Sequence, residues 1–199
     1  MKIGIQFGLA ILAGFIAYMI WDSIDSKIVL TETVKVRRTE VKARLTQISD
    51  AQIEYKKIRG AYAGSFDALT DFLKNDSIVQ VKMEGEVPDS LLGKEALALE
   101  MGIIKRDTTK IPVREILFTD NFDEIVANLA IIPNTDGKQF TIKAGAIEKH
   151  KNQVPVFEVN AALTDIFMGL ETDNEGYDMT KFMAVGSMEE PKTNGNWKD

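Results

Sequence analysis

The sequence predicts an α+β protein: an N-terminal transmembrane helix continuing into a long amphipathic helix, followed by a small antiparallel-sheet head. Three observations predict it. Residues 3–21 contain no charged side chain and a single amide, Gln6. Residues 23–59 contain neither Gly nor Pro, and Val34, Val41, Ile48 and Tyr55 recur every seven positions within them. Beyond Gly60, short alternating runs are separated by Gly, Pro, Asn and Asp, the pattern of strands and turns. The expected organisation is an anchor over 1–22, a helical stalk over 23–59, a head over 60–187 and a polar tail over 188–199.

Composition narrows the chemistry. The 199 residues are 45% hydrophobic and 27% charged, with a net charge of −6, one His and no Cys. That apolar fraction suffices for a folded core. Without Cys there is no disulfide scaffold, thiol catalysis or iron–sulfur ligation, and a single His excludes a His-rich metal site. An acidic chain lacks the basic face that nucleic acid requires, so no nucleic-acid partner is expected.

The stretch from Ile3 to Trp21 is nineteen residues long. At roughly 1.5 Å per residue it would extend roughly 28 Å as a helix, the thickness of a hydrocarbon core. Tyr18 and Trp21 suit a membrane boundary, and Asp22 and Asp25 would mark the exit. Tyr18–Trp21 is a poor cleavage site, which favours an uncleaved signal anchor. The expected location is therefore a bacterial inner membrane, single-pass, with a cytoplasmic N-terminus and a periplasmic or extracellular C-terminal domain. Gly4 and Gly8 form a GxxxG pair, and Ala10, Ala13, Gly14 and Ala17 add a small-residue face for close helix packing.

Val34, Val41, Leu45, Ile48 and Tyr55 form the stalk's apolar stripe, with Arg38, Lys42, Arg44, Gln52, Lys56 and Lys57 on the opposite positions. A poor coiled-coil seam of Thr31, Arg38, Leu45 and Gln52 indicates that the stripe is covered by the protein's own head. Thr31 and Thr33, together with a period-two pattern, suggest an extended piece near residues 28–36. Residues 23–66 carry nine Lys/Arg and five Asp/Glu (+4), against fourteen and twenty-four in residues 67–199 (−10). Two solvated faces are the simpler reading; the alternative is attraction between the head of one copy and the stalk of another.

In the head, Gly60 ends the helix and Ser65 caps a short helix carrying Phe66, Leu69, Phe72 and Leu73. Strands are expected at residues 78–83, 103–104 and 113–118, with a helix opening at Pro88 and running to Met101 despite Gly93. A helical turn is expected at 121–127. The Asp136–Gly137 step reads as the turn of a hairpin between 129–133 and 138–147. A second turn at His150 leads to a strand over 154–159, where Pro155 points to an edge or a strand start. A short helix over 161–169 and a last strand over 182–185 complete the head.

The run Ala51–Tyr55, then Gly60–Tyr62, then Ser65–Leu69, resembles the corresponding region of type IV pilins and type II secretion pseudopilins. The resemblance covers the first third of the chain and implies an N-terminal helix that packs laterally in an assembly. No Glu stands near the start of the apolar run, so no processing site or filament register carries over. The tail from Val185 to Trp197 is similar to that of some single-pass bacterial envelope proteins, which implies the same location.

No P-loop, G-x-S-x-G, G-x-G-x-x-G or H-E-x-x-H run occurs. His150, between two lysines, reads as an exposed turn residue. Glu171, Asp173, Glu175 and Asp178 around Gly176 are the one acidic cluster that could offer calcium several oxygens. Counted from Glu171, however, Met179 and Phe182 take the ninth and twelfth positions of an EF-hand loop, which favours a solvated loop and no cofactor. The expectation is a non-enzymatic, membrane-anchored assembly subunit of a bacterial cell-envelope complex, acting through contacts with other envelope proteins or its own copies. The alternative is a periplasmic accessory or ligand-binding module tethered beside an inner-membrane transport or motor complex.

Overall fold

A computed structural model describes residues 2–89, 92–118, 120–149, 151–172 and 176–197 of the chain. His150, Asp173 and Glu175 lie outside the described residues, as do the side chains of Gln6, Ala10, Ala17, Asp22 and Asp25.

The molecule is organised on one helix, α1 (Lys2–Arg59), 58 residues long and therefore about 87 Å from end to end. It is continuous, so the extended piece expected near 28–36 does not form. The threonines that suggested it are accommodated locally. The hydroxyls of Thr31 and Thr33 each donate to the carbonyl four residues earlier at 2.8 Å, and those of Thr39 and Thr46 do so at 2.9 Å. Gly60 terminates the helix with φ +78°, its N–H bonding the Lys56 carbonyl at 2.8 Å.

Among the described residues, no helix is long and apolar enough to cross a membrane. This corrects the transmembrane anchor, and with it the single-pass, signal-anchor and inner-membrane expectations. Those rested on the length of the uncharged run over residues 3–21 and on apolar residues placed all round it. Gly4, Gly8, Ala13 and Gly14 contribute little side chain to transfer into lipid.

The second half of α1 carries the core. Val41, Leu45 and Ile48 are fully buried, Val34 is buried, and Tyr55 packs partly covered beside them. Two antiparallel sheets and short helices close over this stripe. After Gly60, α2 (Phe66–Asn75) starts on Ser65, whose side chain accepts the Ala68 N–H at 3.3 Å, and buries Leu69, Phe72 and Leu73. Strand β1 (Ser77–Glu84) follows. The helix expected from Pro88 to Met101 is only α3 (Glu95–Glu100), because Gly93 takes φ +78° just before it.

Strand β2 (Lys105–Pro112) pairs with β1 from Ser77↔Pro112 to Glu84↔Lys105. Its sequence, KRDTTKIP, has no apolar alternation, and most of it is exposed. The strands expected at 103–104 and 113–118 do not form. Ile104 is instead a buried residue preceding β2, and Val113–Ile116 is a helical turn, α4. Pairing with β1, rather than local propensity, selects the strand.

After α5 (Phe122–Ala127), the expected hairpin around Asp136–Gly137 reduces to one bridge, Ile131↔Gln139. The extensive hairpin joins β3 (Thr141–Lys149) to β4 (Asn152–Ala162), and β5 (Phe182–Gly186) pairs on the other side of β4 beyond α6 (Leu163–Ile166). Pro155 is thus in a central strand. It is tolerated because β5 pairs only with Glu158–Ala162, so Pro155 faces Ala146 alone. The tail packs back onto the head. Asn196 and Ala184 bond twice at 2.9 Å, Ser49 donates to the Thr193 carbonyl at 3.1 Å, and Trp197 joins the core periphery.

Candidate functional site

Polar residues of α1 tie helix to head. Gln52 is fully buried, and its amide exchanges 2.8 Å hydrogen bonds with both the N–H and the carbonyl of Ala63. One turn on, Tyr55 meets Phe72 edge-on at 5.1 Å, and Tyr62 stacks at 4.5 Å on Phe157 of β4. The residues carrying the pilin resemblance therefore build the joint between helix and head. Arg37 donates to the carbonyls of Ile166 and Met168 at 3.1 and 2.8 Å, and Arg44 donates to Ile125 at 3.2 Å. Burial pushes the Arg44 guanidinium down from its ordinary pKa, and Glu124 partly offsets this. Arg44 and Gln52, assigned to the positions opposite the stripe, are instead anchors of the head; Gln52, four residues after Ile48 and seven after Leu45, lies on the stripe itself.

Next to this joint, a cleft of about 760 Å³ opens between α1 and the β5 side of the head. Lys35, Arg38 and Lys42 line it from the helix and Lys181 from the head. Leu163, Phe182, Met183 and Trp197 supply apolar walls, and among the described residues no Asp or Glu lines it. Arg38 lies over the rings of Phe167 and Tyr177, 5.3 and 5.7 Å from their centroids, and Lys42 lies 6.0 Å from the Trp197 ring. Four cationic side chains thus line apolar walls in a chain of net charge −6, and Lys181 among them also pairs with Asp178 at 3.5 Å.

The third feature is the first half of α1. Every described side chain from Gly4 to Val29 is exposed, including Phe7 (68%), Ile11 (72%), Tyr18 (67%) and Trp21 (76%). A Cβ added at Gly4, Gly8 or Gly14 would meet nothing within 4 Å. These three glycines are thus uncovered in the single chain.

Of the acidic cluster, Glu171 and Asp178 are among the described residues. No metal-holding group of His, Asp or Glu occurs among the described residues. Glu171 is exposed, and the Asp178 carboxylate accepts from the Thr180 hydroxyl at 2.5 Å and its N–H at 3.1 Å, with Lys181 at 3.5 Å. Those Thr180 bonds hold Asp178 below the usual carboxylate range. Comparison of the chain with models of known protein families, with curated proteins and with solved structures finds no match.

Proposed function

We propose that this protein is a non-enzymatic assembly subunit whose copies associate through the first half of α1. The observation that carries this reading is the exposure of Phe7, Leu9, Ile11, Leu12, Phe15, Ile16, Met19 and Trp21 on a helix that is apolar around its circumference. Each such side chain gains about 1.5–3 kcal/mol when removed from water. A helix with one apolar stripe is satisfied by one neighbour; one that is apolar all round needs neighbours on several sides. The geometry therefore favours a bundle of three or more α1 helices over a pair. Gly4 and Gly8, one turn apart, give such a bundle a side along which backbones approach closely. The resemblance of residues 51–69 to pilin-like subunits agrees with it.

Sedimentation of the full chain tests the reading. The expected result is a discrete multimer larger than a dimer, converted to monomer by the triple substitution Phe7→Gln, Ile11→Gln, Phe15→Gln with the head's melting transition retained. A monomer at every concentration, or polydisperse aggregate without a defined stoichiometry, would overturn it.

A further inference from the structure

The cleft between α1 and the head is a second site, independent of the association surface in the first half of the helix. We infer that it binds a small amphipathic carboxylate, an organic acid with one anionic head and an unbranched apolar body. Its volume, about 760 Å³, falls within the range of small-molecule sites and exceeds what a simple inorganic anion would fill.

The walls divide the ligand chemically. Lys35 and Arg38 stand one turn apart on the same helix face and line the cleft, with Lys181 contributing from the head. Lys181 also lies 3.5 Å from Asp178, whereas the Arg38 guanidinium is held over the Phe167 and Tyr177 rings. A guanidinium can offer a carboxylate two parallel charge-assisted hydrogen bonds, which the ammonium of Lys35 cannot. The other walls are apolar: Leu163 and Met183 are buried at the base, and Phe182, a large apolar side chain at the start of β5, is 49% exposed. An apolar body beside these groups would cover Phe182, and the charged rim would fix its direction. A neutral lipid would make no use of Lys35 and Arg38, and a small hydrophilic anion would leave the apolar wall in water.

Trp197 lines the cleft, and Trp21 is the only other tryptophan. In the full chain carrying Trp21→Phe, emission therefore reports the cleft alone. Titration with decanoate should give a saturable change in Trp197 emission, whereas acetate and decanol should bind at least tenfold more weakly. Added salt should weaken decanoate selectively. The pair Lys35→Gln, Arg38→Gln should lower decanoate affinity roughly tenfold or more and leave decanol unchanged. Sedimentation of the same samples reports association separately, so failure at one site is distinguishable from failure at the other. Equal binding of decanol and decanoate to the parent chain, no saturable emission change, or an undiminished affinity in the double variant would overturn the inference.

Discussion

Gln52, one of the least exposed side chains of α1, closes a reciprocal pair of hydrogen bonds with the backbone of Ala63, eleven residues later and beyond the helix end. An amide is suited to this position because it donates and accepts at once, matching a peptide's N–H and carbonyl. The loop from Gly60 to Gly64 is thereby held against the helix, and Tyr62 is directed onto Phe157.

Replacing Gln52 by Ala leaves both backbone groups of Ala63 buried without these partners. The expected loss is about 3 kcal/mol of folding free energy. Urea unfolding at neutral pH checks it; a loss under about 0.5 kcal/mol, the range of ordinary surface changes, would refute the role given to this pair.

Arg37 binds two carbonyls just beyond α6. Arg37→Met keeps an unbranched apolar stem and removes the donors, and should destabilise the head by about 2 kcal/mol. Lys35→Met, two residues away at an exposed position, should leave the melting temperature nearly unchanged.

Gly186 ends β5 with φ +78°, and a Cβ there would run into the Phe157 carbonyl. Gly186→Ala thus combines a left-handed backbone with a steric conflict, and should destabilise by about 2 kcal/mol or more. Gly137, also at positive φ but with nothing within 4 Å of an added Cβ, should tolerate Ala at about 1 kcal/mol.

Asp50 titrates above its ordinary range, first because its surroundings on α1 desolvate it and then because Glu54 lies one turn away. A carboxyl whose folded-state pKa is raised binds its proton more tightly in the folded chain. Its contribution therefore favours folding at low pH and is lost as pH climbs from the unfolded value through the folded one. NMR titration should place the Asp50 midpoint above that of an unperturbed aspartate. Asp50→Asn should remove this component from the acid limb of the stability profile. A midpoint at or below the ordinary value would contradict the desolvation argument.

Local rules made much of the architecture readable. The stripe Val34, Val41, Leu45, Ile48 follows the helical period, so one helix face was identifiable without knowing what covers it. Ser65 as a cap and Gly60 as a stop are equally local, since their effects reach only a few residues along the chain. The uncharged N-terminal run was visible too, but its length and apolarity were read as sufficient to cross a membrane, which no helix shows among the described residues.

What only the tertiary structure decided lies where residues distant in the chain meet. Arg44 and Gln52 read as opposite the stripe until the Ile125 carbonyl and the Ala63 backbone arrive beside them. Strand β2 has no pattern of its own and exists because β1 supplies the ladder. The cleft is assembled from residues 35–42, 163, 180–183 and 196–197, so its positive rim and apolar wall do not coexist in any one segment. Periodicity determines which face of an element avoids water, whereas partners for polar groups are set by long-range packing, which no short window of sequence contains.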